Sequence, residues 1–125
     1  MNSIKTHKIE ALIIDDETDI CYLLGSLLRK QDIDTSYVNT LRDAANILES
    51  TDPQIIFLDN HLPDGLGVNF IGFIKRFHPL TKIIMITAYD TAADVKKAYK
   101  EGVDYFIGKP FSKESINNVV ENLVH

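Results

Sequence analysis

Five short apolar runs rich in β-branched residues, separated by stretches of helical periodicity, constrain this chain more than any other feature. The runs are Ile9–Asp15, Thr35–Val38, Ile55–Asp59, Ile83–Thr87 and Tyr105–Ile107. Such alternation is the pattern of repeated βα units, whose strands pair in parallel while the connecting helices cover both faces of the sheet. The expected class is α/β: a doubly wound five-stranded parallel sheet of order 2-1-3-4-5. Three runs are almost wholly apolar, as interior parallel strands are, whereas Thr35–Val38 is short and polar enough for an edge.

Between the runs, Ile20, Leu23, Leu24, Leu27 and Leu28 fall at i, i+3, i+4, i+7 and i+8, which predicts a core-facing helix with this stripe buried. A second helix carries Ala44, Ala45, Ile47 and Leu48, entered at Thr40 with Asp43 at its third position. Phe70, Ile71, Ile74 and Phe77 mark a third, which His78-Pro79 ends. Thr91 caps a fourth helix bearing Val95, Ala98 and Tyr99, with Gly102 as its stop. Ser112 opens a fifth with Ile116, Val119, Val120 and Leu123.

At 125 residues, with no repeat, low-complexity segment or linker, the expectation is a single domain over residues 1–125, its core at about 9–123, and no effector domain within the chain. No apolar run approaches the roughly 20 residues needed to span a bilayer. The polar stretch Met1 to Lys8 lacks the features of a secretory signal, so a cytoplasmic location is expected and no membrane contact. Cys21, the one cysteine, sits among Ile20, Leu23 and Leu24 and reads as a buried thiol. Thirteen basic against eighteen acidic residues give a formal charge of −5, which argues against direct nucleic acid binding by this segment.

Open α/β sheets bind ligands outside the carboxyl ends of their strands. Here those ends are polar: Asp15-Asp16 after the first run, Asp59 after the third, Thr87 after the fourth, and Lys109 just beyond the fifth. Order 2-1-3-4-5 makes the first and third strands neighbours, bringing three carboxylates into one crevice. Like charges that close oppose joint ionisation, so a cation is implied. Oxygen-only ligands that leave positions open suit Mg²⁺, whereas His7, His61, His78 and His125 show no zinc spacing. Lys109 and Thr87 would supply a cation and a hydroxyl to an anion held there, a set sufficient for phosphoryl transfer to a carboxylate. Each residue also has a plainer reading. Asp15-Asp16 can cap a helix, Asp59 can start the turn before Pro63-Asp64-Gly65, Thr87 can be a strand-end hydroxyl, and Lys109 a solvated charge.

The string Leu12-Ile13-Ile14-Asp15-Asp16-Glu17, the Ile55–Asp59 run followed by Leu62-Pro63-Asp64-Gly65, Ile86-Thr87-Ala88 and Lys109-Pro110-Phe111 together resemble response-regulator receiver domains of two-component signalling. The likeness spans about Ile9 to Leu123. It implies a flavodoxin-like (βα)5 fold and a signalling phosphoacceptor rather than an enzyme acting on other substrates. By resemblance, Asp59 accepts phosphate from a histidine kinase or phosphotransfer protein. Asp16, Asp59 and the His61 carbonyl ligate Mg²⁺, with Mn²⁺ able to substitute, and Asp15 acts through coordinated water. Lys109 pairs with the carboxylate or phosphoryl group, Thr87 bonds a phosphoryl oxygen, Phe106 is the switch aromatic, and the Lys109-Pro110 bond is cis. His61 and Tyr89 occupy positions that tune phosphate lifetime in the family. The resemblance leaves two readings of the output open, a stand-alone regulator or a receiver with a covalent effector domain beyond this chain.

A haloacid-dehalogenase-like phosphatase needs an acid two residues after its nucleophile, where this chain has His61. A flavin binder needs a phosphate-cradling first loop, which Asp15-Asp16-Glu17 would repel. The remaining alternative is a receiver-like interaction module that works without phosphorylation.

Overall fold

A computed structural model describes residues 8–88 and 91–124; Tyr89 lies outside them. Strands β1 (Ile9–Ile14), β2 (Ile33–Val38), β3 (Ile55–Asp59), β4 (Lys82–Thr87) and β5 (Tyr105–Gly108) form one sheet, all in parallel, in the order 2-1-3-4-5. Helices α1 (Thr18–Arg29), α2 (Leu41–Ile47), α3 (Ile71–Phe77), α4 (Ala92–Glu101) and α5 (Lys113–Val124) follow the strands in turn. The doubly wound α/β expectation is met.

Strand pleating sorts the sheet's side chains into two cores. Ala11, Ile13, Ile55, Phe57, Ile84, Ile86 and Ile107 meet α1 and α5 on one face, and Leu12, Ile14, Ile56, Leu58, Ile83 and Met85 meet α2, α3 and α4 on the other. Both faces being buried explains why the inner runs are continuously apolar rather than alternating. Each fully buried Leu, Ile or Phe contributes roughly 1.5–3 kcal/mol of transfer free energy.

Several boundaries and faces differ from the sequence expectation. β2 starts at Ile33, two residues early, because the turn at Asp32 (φ 63°) delivers Ile33 into the core beside Ile9. β5 runs on through Gly108, paired with Thr87. The first turn of the third helix, Gly67–Phe70, is 3-10 rather than α, and Asn60 satisfies the N–H groups of Gly67 and Val68 at its start. Leu23 is 49% exposed. The buried face of α1 is centred on Cys21, Leu24 and Leu28, and Leu23 lies about 100° round the helix from Leu24. Phe77 and Tyr99 also face solvent.

The helix ends follow their expected caps. Thr40 Oγ1 accepts from Asp43 N at 3.0 Å, Thr91 and Asp94 form a reciprocal capping box, and Gly102 takes the left-handed φ of 111° that ends α4. Among the described residues no helix is long and apolar enough to cross a membrane.

Candidate functional site

The strand termini converge as the topology requires. Asp15 follows β1, Asp59 ends β3, Thr87 ends β4, and Lys109 follows β5, its N–H bonded to the Thr87 carbonyl at 2.9 Å. Adjacent strands ending at one level place these residues around a crevice of about 190 Å³ lined by Asp16, Glu17, Asp59, His61, Ala88 and Lys109. Asp59 in this lining is buried, as are Asp15 and Thr87, the chain neighbours of the lining residues Asp16 and Ala88.

Lys109 crosses the crevice with its side chain only 8% exposed. Its Nζ lies 2.7 Å from Glu17 Oε1, 2.9 Å from Asp15 Oδ2 and 3.7 Å from Asp59 Oδ1. The ammonium is therefore hydrogen-bonded to the first-strand acids and in looser, electrostatic contact with Asp59. Burial by itself would lower its pKa, but the bonds to Glu17 and Asp15 outweigh it and hold the amine charged. Glu17, part of the acidic string but given no role above, is thus the nearest anion to the lysine. Its proximity depends on how the chain turns from β1 into α1, a tertiary fact without a sequence signal.

Burial pushes the Asp59 carboxyl up to about 6; the Asp15 charge adds to this, and Lys109 and the His61 N–H oppose it. Asp15 is raised too, chiefly by burial, against the pull of the Glu17 N–H and Lys109. Two buried carboxylates are thus left under-compensated by one lysine. Oxygens of Asp15, Asp16 and Glu17 lie within 4.8 Å of one another beside them. An all-oxygen, strongly negative set of this kind fits a hard divalent cation such as Mg²⁺.

The plainer readings fare unevenly. Asp15 Oδ1 does accept from Glu17 N at 2.8 Å, but Glu17 occupies the N-cap of α1 and makes no side-chain capping bond. Lys109 is not a solvated charge. Cys21 is buried, its Sγ 3.5 Å from the Asp15 carbonyl, and burial pushes the thiol up to about 11, which leaves it inert at neutral pH.

Phe106 is half-buried against the α2–α4 core and pairs with Met85, two residues before Thr87. Thr87 and Phe106 therefore share one side of adjacent strands, offset along the sheet. The Lys109-Pro110 peptide bond is cis, as the resemblance implied.

The loop after Asp59 is held at several points. Asn60 binds Gly67 N through its carbonyl and Val68 N through its side chain, and a two-rung hairpin pairs His61 with Leu66 and Leu62 with Gly65. At its tip Asp64 accepts from Leu41 N and Arg42 N, both at 2.9 Å. Gly67 passes so close to the Asp59 carbonyl that a β-carbon would overlap it.

A family model described as the response regulator receiver domain matches residues 11–121. The chain is 33% identical over 111 residues to the response regulator protein PilR of Pseudomonas aeruginosa, an alignment covering 89% of this chain and 25% of that protein. It is 27% identical over 115 residues to the chemotaxis protein CheY of Halobacterium salinarum, covering 92% of this chain and 96% of CheY. The solution structure of the beryllofluoride-activated NtrC4 receiver domain dimer superposes with a TM-score of 0.87 at 34% identity, covering 91% of this chain and 94% of that one. The chain spans about a quarter of the length of PilR and of the LuxO proteins. With the family model reaching across nearly all of both cores and the acidic crevice, the chain belongs to the response regulator receiver domain family.

Proposed function

We propose that the chain takes a phosphoryl group onto Asp59 from the phosphohistidine of a histidine kinase or phosphotransfer protein, and relays it through a conformational switch. The observation that carries this reading is Asp59 buried in the crevice, 3.7 Å from the Lys109 ammonium and beside under-compensated acids. A carboxyl titrating at about 6 is mostly ionised at pH 7 and so available as a nucleophile. One of its oxygens would form the new P–O bond as the donor's P–N bond breaks, the electron pair leaving on the imidazole nitrogen.

Asp16, Asp59 and the His61 carbonyl would hold Mg²⁺, with Asp15 acting through coordinated water; bound there, the ion neutralises charge on the phosphoryl oxygens. Lys109 would leave Glu17 and Asp15 for the phosphoryl group, and the Thr87 hydroxyl would bond one of its oxygens. His61 and Tyr89 would set how readily water reaches the acyl phosphate. Residues 9–123 would act as one receiver unit, with any effector region lying beyond it, in keeping with relatives four times as long.

Incubation with acetyl phosphate and Mg²⁺, followed by intact-mass measurement, tests the assignment. One phosphoryl addition is expected, abolished by chelation or by Asp59→Asn; undiminished labelling of Asp59→Asn would overturn it.

A further inference from the structure

We propose that Asp64 is a positioning residue for the cation-holding side of the site, tying the loop after β3 to the first turn of α2. This rests on the phosphoacceptor reading above and deepens it. Helix α2 already has its own cap, since Thr40 Oγ1 takes the Asp43 N–H. Asp64 takes the two N–H groups that remain in that turn, Leu41 through Oδ1 and Arg42 through Oδ2. A carboxylate bridging two backbone donors is a charge-assisted, geometrically specific contact, and these two bonds hold its pKa below the ordinary value.

The contact bears on the site through the loop's construction. Pro63, Asp64, Gly65 and Leu66 form an exposed tip, so the carboxylate joins α2 to a segment with little burial of its own. His61, one rung down the hairpin, reaches Asp59 with its N–H and would present its carbonyl to the cation. It stands between two fixed points, the end of β3 and the Asp64 contact three residues on. The Leu41 side chain, from the same turn of α2, comes close to Gly65, so that residue meets the tip through its side chain as well as its N–H. Freeing the tip would let the His61 carbonyl wander while Asp15, Asp16 and Asp59 stay in place.

The test is Mg²⁺ titration of the whole chain, followed by amide NMR or calorimetry, in the wild type, Asp64→Ala, Asp64→Asn and Thr40→Ala. Asp64→Ala is expected to weaken Mg²⁺ roughly tenfold, the scale of lost support around a metal ligand. Its labelling by acetyl phosphate should slow at low Mg²⁺ and recover at saturation. Asp64→Asn, keeping one acceptor oxygen, should fall between and serves if the alanine variant does not fold. Thr40→Ala weakens the same helix end without touching the loop and should lose thermal stability with its Mg²⁺ affinity unchanged. Wild-type affinity in both Asp64 variants, or an equal loss in Thr40→Ala, would overturn the positioning role while leaving the phosphoacceptor reading intact. A wild type that takes up no Mg²⁺ would overturn both.

Discussion

Asp59 shows how one residue's environment becomes a property of the whole chain. Its carboxyl binds a proton more tightly folded than unfolded, titrating at about 6 against an ordinary 3.8. The sign follows from linkage: stability from that proton is present below the unfolded value and is lost as pH rises through about 6. Metal-free protein is therefore expected to melt at a lower temperature at pH 7 than at pH 5. Asp59→Asn should flatten this dependence and add about 3 kcal/mol at pH 7, the differential that such a shift represents. Melting curves in chelator across that range check it, and a wild type whose midpoint climbs from pH 5 to 7 in parallel with the variant would show the carboxyl is not under this strain. Asp59, Asp15, Asp16, Thr87 and Lys109 were legible in the sequence because each is a polar residue closing an apolar run. Glu17 was not, since its bond to Lys109 spans 92 positions and is set by packing.

The most demanding element is the loop from Asn60 to Gly67, and Gly67 is its tightest point. A side chain there would meet the Asp59 carbonyl and the Leu58 side chain, so the backbone itself must give way. Gly67→Ala is expected to cost about 1–3 kcal/mol, as overpacking does. Because Gly67 N also bonds the Asn60 carbonyl, amide shifts should spread through Asn60–Leu62. Chemical denaturation with amide NMR reads both effects, and unchanged stability would mean that the loop has more room than the close approach allows. Among the regular elements, the caps at Thr40, Thr91 and Gly102 were legible because capping is local chemistry. The tie from Asn60 to the turn at Gly67–Phe70 was hidden, since its bonds to Gly67 N and Val68 N reach seven and eight residues along the chain.

For the molecule as a whole, the sheet register bears on how a phosphoryl signal would travel. Thr87 and Phe106 lie on the same side of adjacent strands, and Phe106 packs half-buried against the core on that face; under the switch proposed above, a pull on the Thr87 hydroxyl would open or close space next to the ring. Such a change would be a two-state shift of a few kcal/mol rather than a domain motion. Beryllofluoride, as a phosphoryl mimic, is expected to move amide signals at Thr87, Phe106 and the start of α4, and Thr87→Ala should retain beryllofluoride binding while losing the Phe106 response. An undiminished response in Thr87→Ala would place the switch elsewhere. Of this protein, the sequence by itself determined the βα alternation, the two-sided burial of the inner strands, the edge character of β2 and the polar residues at the strand ends. Each is a local pattern of hydrophobicity, and such patterns need no partner to be read. Only the tertiary structure decided which acid Lys109 bonds, that Leu23 faces solvent, that Phe106 aligns with Met85, and that Asp64 reaches α2. These depend on crossing angles and on contacts between residues far apart in the chain, which summed local preferences do not specify.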